Sequence, residues 1–147
     1  MNCINFKCLP YFLLSLQTTG FQKLDKSYGL NLTADSVAGA LNIFLNPQEN
    51  PQNTRLVAAK FSQLLAHVAE FFGAQSLYHV YASSLLFVYD FSCLKQSNPL
   101  EEDQLEKCVR LKMIDFAHVF PANGVRDENF LFGLENVRKL FAKFIAS

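Results

Sequence analysis

Hydrophobic residues recur every three to four positions in three stretches of the chain and crowd together without that period in two others. The contrast predicts helices in the first case and strands in the second. Val37, Leu41, Phe44 and Leu45 form one helical stripe. Thr33 is placed to cap it, Asp35 falls in its first turn, where the helix dipole favours an acid, and the run Pro47 to Pro51 ends it. A second helix starts near Asn53 or Thr54. Its apolar face is Val57, Phe61, Leu64, Leu65, Val68, Phe71 and Phe72, with Gly73 placed for a left-handed C-cap. The third stripe, Phe130, Leu131, Leu134, Val137, Phe141 and Phe144, begins after Asp127, which or a neighbour of which caps it.

Two stretches rich in β-branched and aromatic residues, Ser76 to Asp90 and Cys108 to Ala117, predict strands. They form an antiparallel pair joined by the polar run Gln96 to Lys107, which reads as a solvated loop. Pro121 to Asp127 and Asp25 to Thr33 read as further loops, and Thr18 to Phe21 as a turn. Residues 1–24 are apolar but irregular, fitting a buried strand or helix. The fold class is therefore α+β, antiparallel strands packed with helices.

Composition narrows the function more than the fold. At 147 residues, half of them apolar and 18% charged, the chain is long enough for one domain with a real core. Fifteen Phe and no Trp make that core aromatic. The formal net charge of zero lacks the basic excess of a nucleic-acid binder, yet leaves room for a small anion, which needs only a local cluster of donors. Cys3, Cys8, Cys93 and Cys108 show no Cys-x-x-Cys spacing and read as free thiols in a reducing compartment. The N-terminal run CLPYFLLSLQ is too short to span a bilayer and has no small-residue cleavage site of a signal peptide.

The run LKMIDFAHVF, Leu111 to Phe120, raises the chemical question, because it sets Asp115 inside an apolar strand. A desolvated carboxylate costs several kcal/mol unless a donor or a cation meets it. Arg110 and Lys112 are close enough in sequence to pair with it; the other reading is a strand-borne carboxylate kept for Mg²⁺, whose remaining ligands are phosphate oxygens and water. His118, three residues on, is either a donor to a phosphate or a core histidine bonded to a carbonyl. Ser83 and Ser84 interrupt the first strand, and their side chains point to opposite faces. They are either satisfied buried hydroxyls or part of the same site. His67 and His79 read as structural. There is no Gly-x-Ser-x-Gly elbow and no Walker-type phosphate loop in the sequence.

Three segments together resemble the inositol polyphosphate kinase family, and most closely its multikinase branch: YASSLLFVYD (Tyr81 to Asp90), MIDFAHVFP (Met113 to Pro121) and DENFLFGLENVRKLF (Asp127 to Phe141). They match its Ser-Ser-Leu-Leu motif, its Ile-Asp-Phe-Ala-His motif and the segment opening its closing helix, in order, with a variable acidic loop between the first two. The resemblance implies a protein-kinase- and ATP-grasp-like fold with residues 18–147 as its C-terminal lobe and residues 1–17 unmatched. It implies ATP-dependent phosphorylation of inositol phosphate hydroxyls, or of the matching lipid head group, in the cytoplasm or nucleus, with ATP and Mg²⁺ as cofactors. Asp115 takes the role of the Mg²⁺-binding catalytic acid, His118 lies near the inositol phosphate, and Ser83 and Ser84 brace the site. The family's Pro-x-x-x-Asp-x-Lys-x-Gly motif is not in these 147 residues. The near-match running from Pro99 to Asp103 carries Leu105 where lysine is required, and it falls in the wrong place. The expectation is an incomplete site with little or no kinase activity on its own.

Overall fold

The computed structural model describes residues 2–7, 26–33 and 36–146, the first of these segments as backbone alone. The predicted turn at Thr18 to Phe21 lies outside the described residues. The elements are β1 (Asn2–Lys7), α1 (Lys26–Leu30), α2 (Val37–Leu45), α3 (Pro51–Ala74), β2 (Tyr78–Tyr81), β3 (Ser84–Tyr89), α4 (Glu102–Cys108), β4 (Val109–Ile114), β5 (His118–Pro121) and α5 (Glu128–Ala146). A 3₁₀ turn, Phe91–Lys95, follows β3.

The three predicted helices form where the stripes put them. All four stripe residues of α2 are buried, and Thr33 starts the turn before it: its hydroxyl accepts from the Ser36 N–H at 3.2 Å and its carbonyl from the Val37 N–H at 3.0 Å. The long helix α3 begins earlier than its stripe suggests. Asn50 is the cap, its side chain accepting from the Asn53 N–H at 3.1 Å, and Pro51 occupies the first turn, where its missing N–H costs nothing. Gly73 lies inside the helix and is no cap, since α3 closes on Gln75 in extended conformation. Phe71 faces solvent, edge-on to the buried ring of Phe72 at 5.3 Å.

Two expected loops contain helices. Asp25 to Thr33 includes the short α1, and the supposed solvated run Gln96 to Lys107 includes most of α4. In α4 the Gln104 side chain accepts from the Glu101 N–H at 2.9 Å, and Leu105 is buried. Acids in the first turn and Lys107 in the last suit the helix dipole.

Sheet β1–β3–β4 is antiparallel throughout, with Ser84 opposite Ile114 and Tyr89 opposite Val109. Leu85, Phe87 and Tyr89 alternate onto one face and are fully buried beneath α3 and α5, which pack along each other. Phe61 of α3 is the hub of this layer. Its ring lies 5.9 Å from Phe44, 5.3 Å from Phe87 and 5.7 Å from Phe141, tilted or edge-on in each case. The loop after the 3₁₀ turn is held by Asn53, whose amide donates to the Gln96 and Asn98 carbonyls and accepts from the Leu100 N–H. Among the described residues no helix is long and apolar enough to cross a membrane.

Candidate functional site

The predicted strand pair is one long hairpin broken in the middle. β3 and β4 form its sheet half, and β2 and β5 form a separate ribbon with Tyr81 opposite His118. Between the two ladders, residues 82–83 on one strand face residues 115–117 on the other. The mismatch of one residue interrupts pairing, as a bulge does. Both strands turn through left-handed backbone at this joint, with φ of 56° at Ala82 and 65° at Asp115. For Asp that conformation is tolerable, because its short polar side chain suits it; for Ala it is strained.

All four residues singled out from the sequence lie at or beside this joint. β4 stops at Ile114, so Asp115 is not inside a buried strand: it is exposed on the left-handed residue that follows. Neither candidate counter-ion clasps it. The Arg110 guanidinium turns back to donate to the Glu106 and Val109 carbonyls, and Lys112 is exposed with no acid paired to it among the described residues. Among the described residues no ion pair or hydrogen bond engages the Asp115 carboxylate. His118 opens β5 and is exposed, which rules out a core histidine.

Ser84, opposite Ile114, and Ser83, one step nearer the break, are both buried. The ladder ends at the Ser84–Ile114 pair, and Ser83 and Asp115 are the residues that adjoin it on the two strands. The Ser83 hydroxyl has no hydrogen-bond partner among the described residues, which costs about 1–3 kcal/mol in a buried group. The reading of two satisfied buried hydroxyls therefore holds for burial but not for Ser83, whose hydroxyl is unmatched among the described residues. His79 is structural, its Nε2 lying 3.0 Å from the Val125 carbonyl, whereas His67 is exposed on α3. The near-match around Asp103 belongs to α4, where Leu105 packs into the core.

Sequence reasoning placed Asp127 at the start of α5 but missed its second role. One carboxylate oxygen accepts from the Phe130 N–H at 3.0 Å and the other from the Val80 N–H at 2.7 Å, in the middle of β2. Nothing in the local sequence signals the second bond, which joins residues 47 positions apart.

The described residues contain no cluster of three or more His, Cys, Asp or Glu able to cage a metal. One free carboxylate at this joint still fits a hard cation of the Mg²⁺ type, which takes one or two protein carboxylates and completes its octahedron with phosphate oxygens and water. The arrangement therefore suits a cation shared with a phosphate ligand and not a dedicated protein cage. An open hollow lined by Pro51, Arg55, Leu56 and Ile145 lies at the other end of the α3–α5 pair from Asp127 and takes no part in this geometry.

The broken hairpin, with its free carboxylate between a Ser-Ser-Leu-Leu strand and an Ile-Asp-Phe-Ala-His strand, finds its class in comparison with known proteins. The family model "Inositol polyphosphate kinase" matches residues 5–142, and the chain belongs to that family. Inositol polyphosphate multikinase beta of Arabidopsis thaliana is 30% identical over 97% of this chain and 49% of its own length. Inositol polyphosphate multikinase IPK2 of Oryza sativa subsp. indica is 38% identical over 56% of this chain and 27% of its own. The chain thus spans about half or less of the length of these relatives. Among solved structures, the inositol phosphate multikinase Ipk2 of S. cerevisiae, in complex with ADP and Mn²⁺, superposes with a TM-score of 0.65 at 23% identity, covering 87% of this chain and 54% of that one. The α+β fold is that of the multikinases.

Proposed function

We propose that these residues form the metal- and phosphate-handling part of an inositol phosphate kinase, which phosphorylates inositol phosphate hydroxyls, or the matching lipid head group, at the expense of ATP. The observation that carries this reading is the Asp115 carboxylate, exposed and, among the described residues, unpaired on a left-handed residue at the joint of two ladders. The family match and the ADP and Mn²⁺ bound by a structural neighbour support it. Asp115 would hold Mg²⁺. The ion, when bound, neutralises charge on the ATP phosphates during transfer. His118, exposed two strand-steps from a buried serine pair, donates to a phosphate of the inositol substrate. Ser83 and Ser84 brace the bend that aims Asp115 outward. Such a kinase works in the cytoplasm or nucleus.

The 147 residues have no Pro-x-x-x-Asp-x-Lys-x-Gly motif, so this chain alone lacks that acid and lysine at the acceptor hydroxyl. Losing positioned groups of this kind costs orders of magnitude in rate. Weak nucleotide binding with little or no turnover is therefore the expected behaviour of the chain by itself, and a binding module without catalysis is the limiting case. The test measures Mg-ATP binding and turnover with inositol trisphosphate, for the chain and for Asp115→Asn. Binding that weakens in the variant supports the reading. Equal binding in both, or none at millimolar nucleotide, overturns it. Robust turnover abolished by Asp115→Asn would instead refute the incompleteness.

A further inference from the structure

We infer that Asp127 is a positioning residue for the broken-hairpin site: it pins the β2–β5 ribbon, and His118 with it, to the N-terminus of α5. As a statement about phosphate handling, this rests on the function proposed above.

The ribbon needs an anchor. A two-stranded ribbon is marginal by itself, and every residue of β5 is exposed. The joint cuts it off from the sheet, with left-handed backbone on both strands. Inside the ladder, His79 Nε2 also lies 3.0 Å from the Val125 carbonyl, in the loop before α5; the remaining polar ties described are at the ribbon's ends. Gln75 accepts from the Tyr78 N–H and donates to the Tyr78 carbonyl, while Ala122 and Gly124 donate to the Leu77 and Ser76 carbonyls. Asp127 grips the middle. Val80, which donates to it, is paired across the ribbon with Val119, the residue after His118.

Capping alone does not explain a carboxylate here. A serine or asparagine caps a helix as well as aspartate does. Asp127 is only 5% exposed, a costly place for a charge unless both oxygens are met. Both are met, by Phe130 at the helix and by Val80 on the ribbon, and the helix dipole adds to the attraction. Only a group with two acceptors in one plane joins the two elements. A rigid link between α5 and the strand facing His118 is what a site needs in order to hold a donor at a fixed place.

The test uses Asp127→Ser, which keeps an N-cap oxygen but is too short to reach Val80, in the full 147-residue chain. Val137→Ala, a truncation in the buried face of α5, serves as a control for general loss of stability. Amide hydrogen exchange and the affinities for Mn-ADP and for inositol trisphosphate are read well below each midpoint of unfolding. In Asp127→Ser, exchange at Val80 and across residues 118–121 should quicken about tenfold or more, while Leu85 to Tyr89 stay within about twofold. Affinity for inositol trisphosphate in the presence of Mn-ADP should fall about fivefold or more. Val137→Ala should change neither. If the serine variant does not fold, Asp127→Asn, whose single acceptor serves only one of the two N–H groups, takes its place with the same expectations. Ribbon amides no faster than in Val137→Ala overturn the proposal. So does undiminished inositol trisphosphate affinity in a loosened ribbon. A wild-type chain that binds Mn-ADP no better than Asp115→Asn sinks the kinase reading instead; ribbon exchange alone then decides whether Asp127 positions His118.

Discussion

The Lys60 ammonium lies 2.6 Å from the Glu102 carboxylate, although Lys60 is sealed under the core and Glu102 stands at the surface. Glu106, one turn further along α4, is 2.5 Å away on the same ammonium. α4 is docked on α3 by this clamp, with the lysine stem threading apolar surface to reach two exposed acids. Removing both acceptors, in Glu102→Gln with Glu106→Gln, leaves a buried ammonium with weakened partners and should lower the midpoint of chemical denaturation. Adding Lys60→Met to that pair should recover most of the loss.

The same clamp sets a pH dependence. Hydrogen bonds donated to Glu102 first, and then to Glu106, hold the Lys60 ammonium above its ordinary value of 10.5. Its contribution is complete below that value and is lost as pH rises through the higher folded one. Lys60 in turn pulls Glu106 below its ordinary 4.5, and that contribution is present above 4.5 and lost as pH falls through the depressed value. Denaturation midpoints should fall on both flanks, and Lys60→Met should flatten both.

Cys93 and Cys108 should resist thiol reagents in the native state. Burial, and then the neighbouring Cys93 thiol, pushes Cys108 up to about 12, and burial also raises Cys93. The thiolate is the reactive form, so at pH 8 almost none is present at either position. Alkylation followed by peptide mapping should leave both unmodified until denaturant is added. Stability from Cys108 is full below its ordinary value of 9.0 and drains away towards the raised one.

Asp115→Gly should separate stability from binding. Glycine relieves the left-handed backbone at φ 65°, so the variant should hold or gain about 0.5–1 kcal/mol in urea denaturation. It should also lose whatever Mg-nucleotide binding the wild type shows. A loss of stability would mean that the carboxylate makes a structural contact, contrary to its open surroundings.

Phe61→Ala should come close to unfolding the chain. The ring is fully buried and touches Phe44, Phe87, Tyr89 and Phe141. Truncation should cost about 3–5 kcal/mol, against a total of about 5–15 for an ordinary domain. Phe71→Ala, ten residues along the same helix but exposed, should cost under about 1 kcal/mol.

Periodicity made the three main helices legible, because each has an uninterrupted face whose burial depends on the sheet only in a general way: Val57, Phe61 and Leu65 point inward whatever they meet. α4 was not legible for the opposite reason. Its seven residues bury only Leu105, and much of what docks them is Lys60, 42 and 46 positions away. The break between Tyr81 and Ser84 was also hidden, since an alanine in left-handed backbone leaves no turn signal of the kind Gly or Asn would.

The sequence by itself determined the helical faces, the antiparallel pairing, the family motifs and the identity of Asp115, His118, Ser83 and Ser84 as the residues to watch. Local spacing and side-chain chemistry suffice for those. Tertiary structure alone decided that Asp115 is open and unpaired among the described residues, that the hairpin is split into sheet and ribbon, and that Asp127 spans the gap to β2. Each of these depends on which distant backbone groups arrive beside a side chain, and a chain's local pattern carries no record of that.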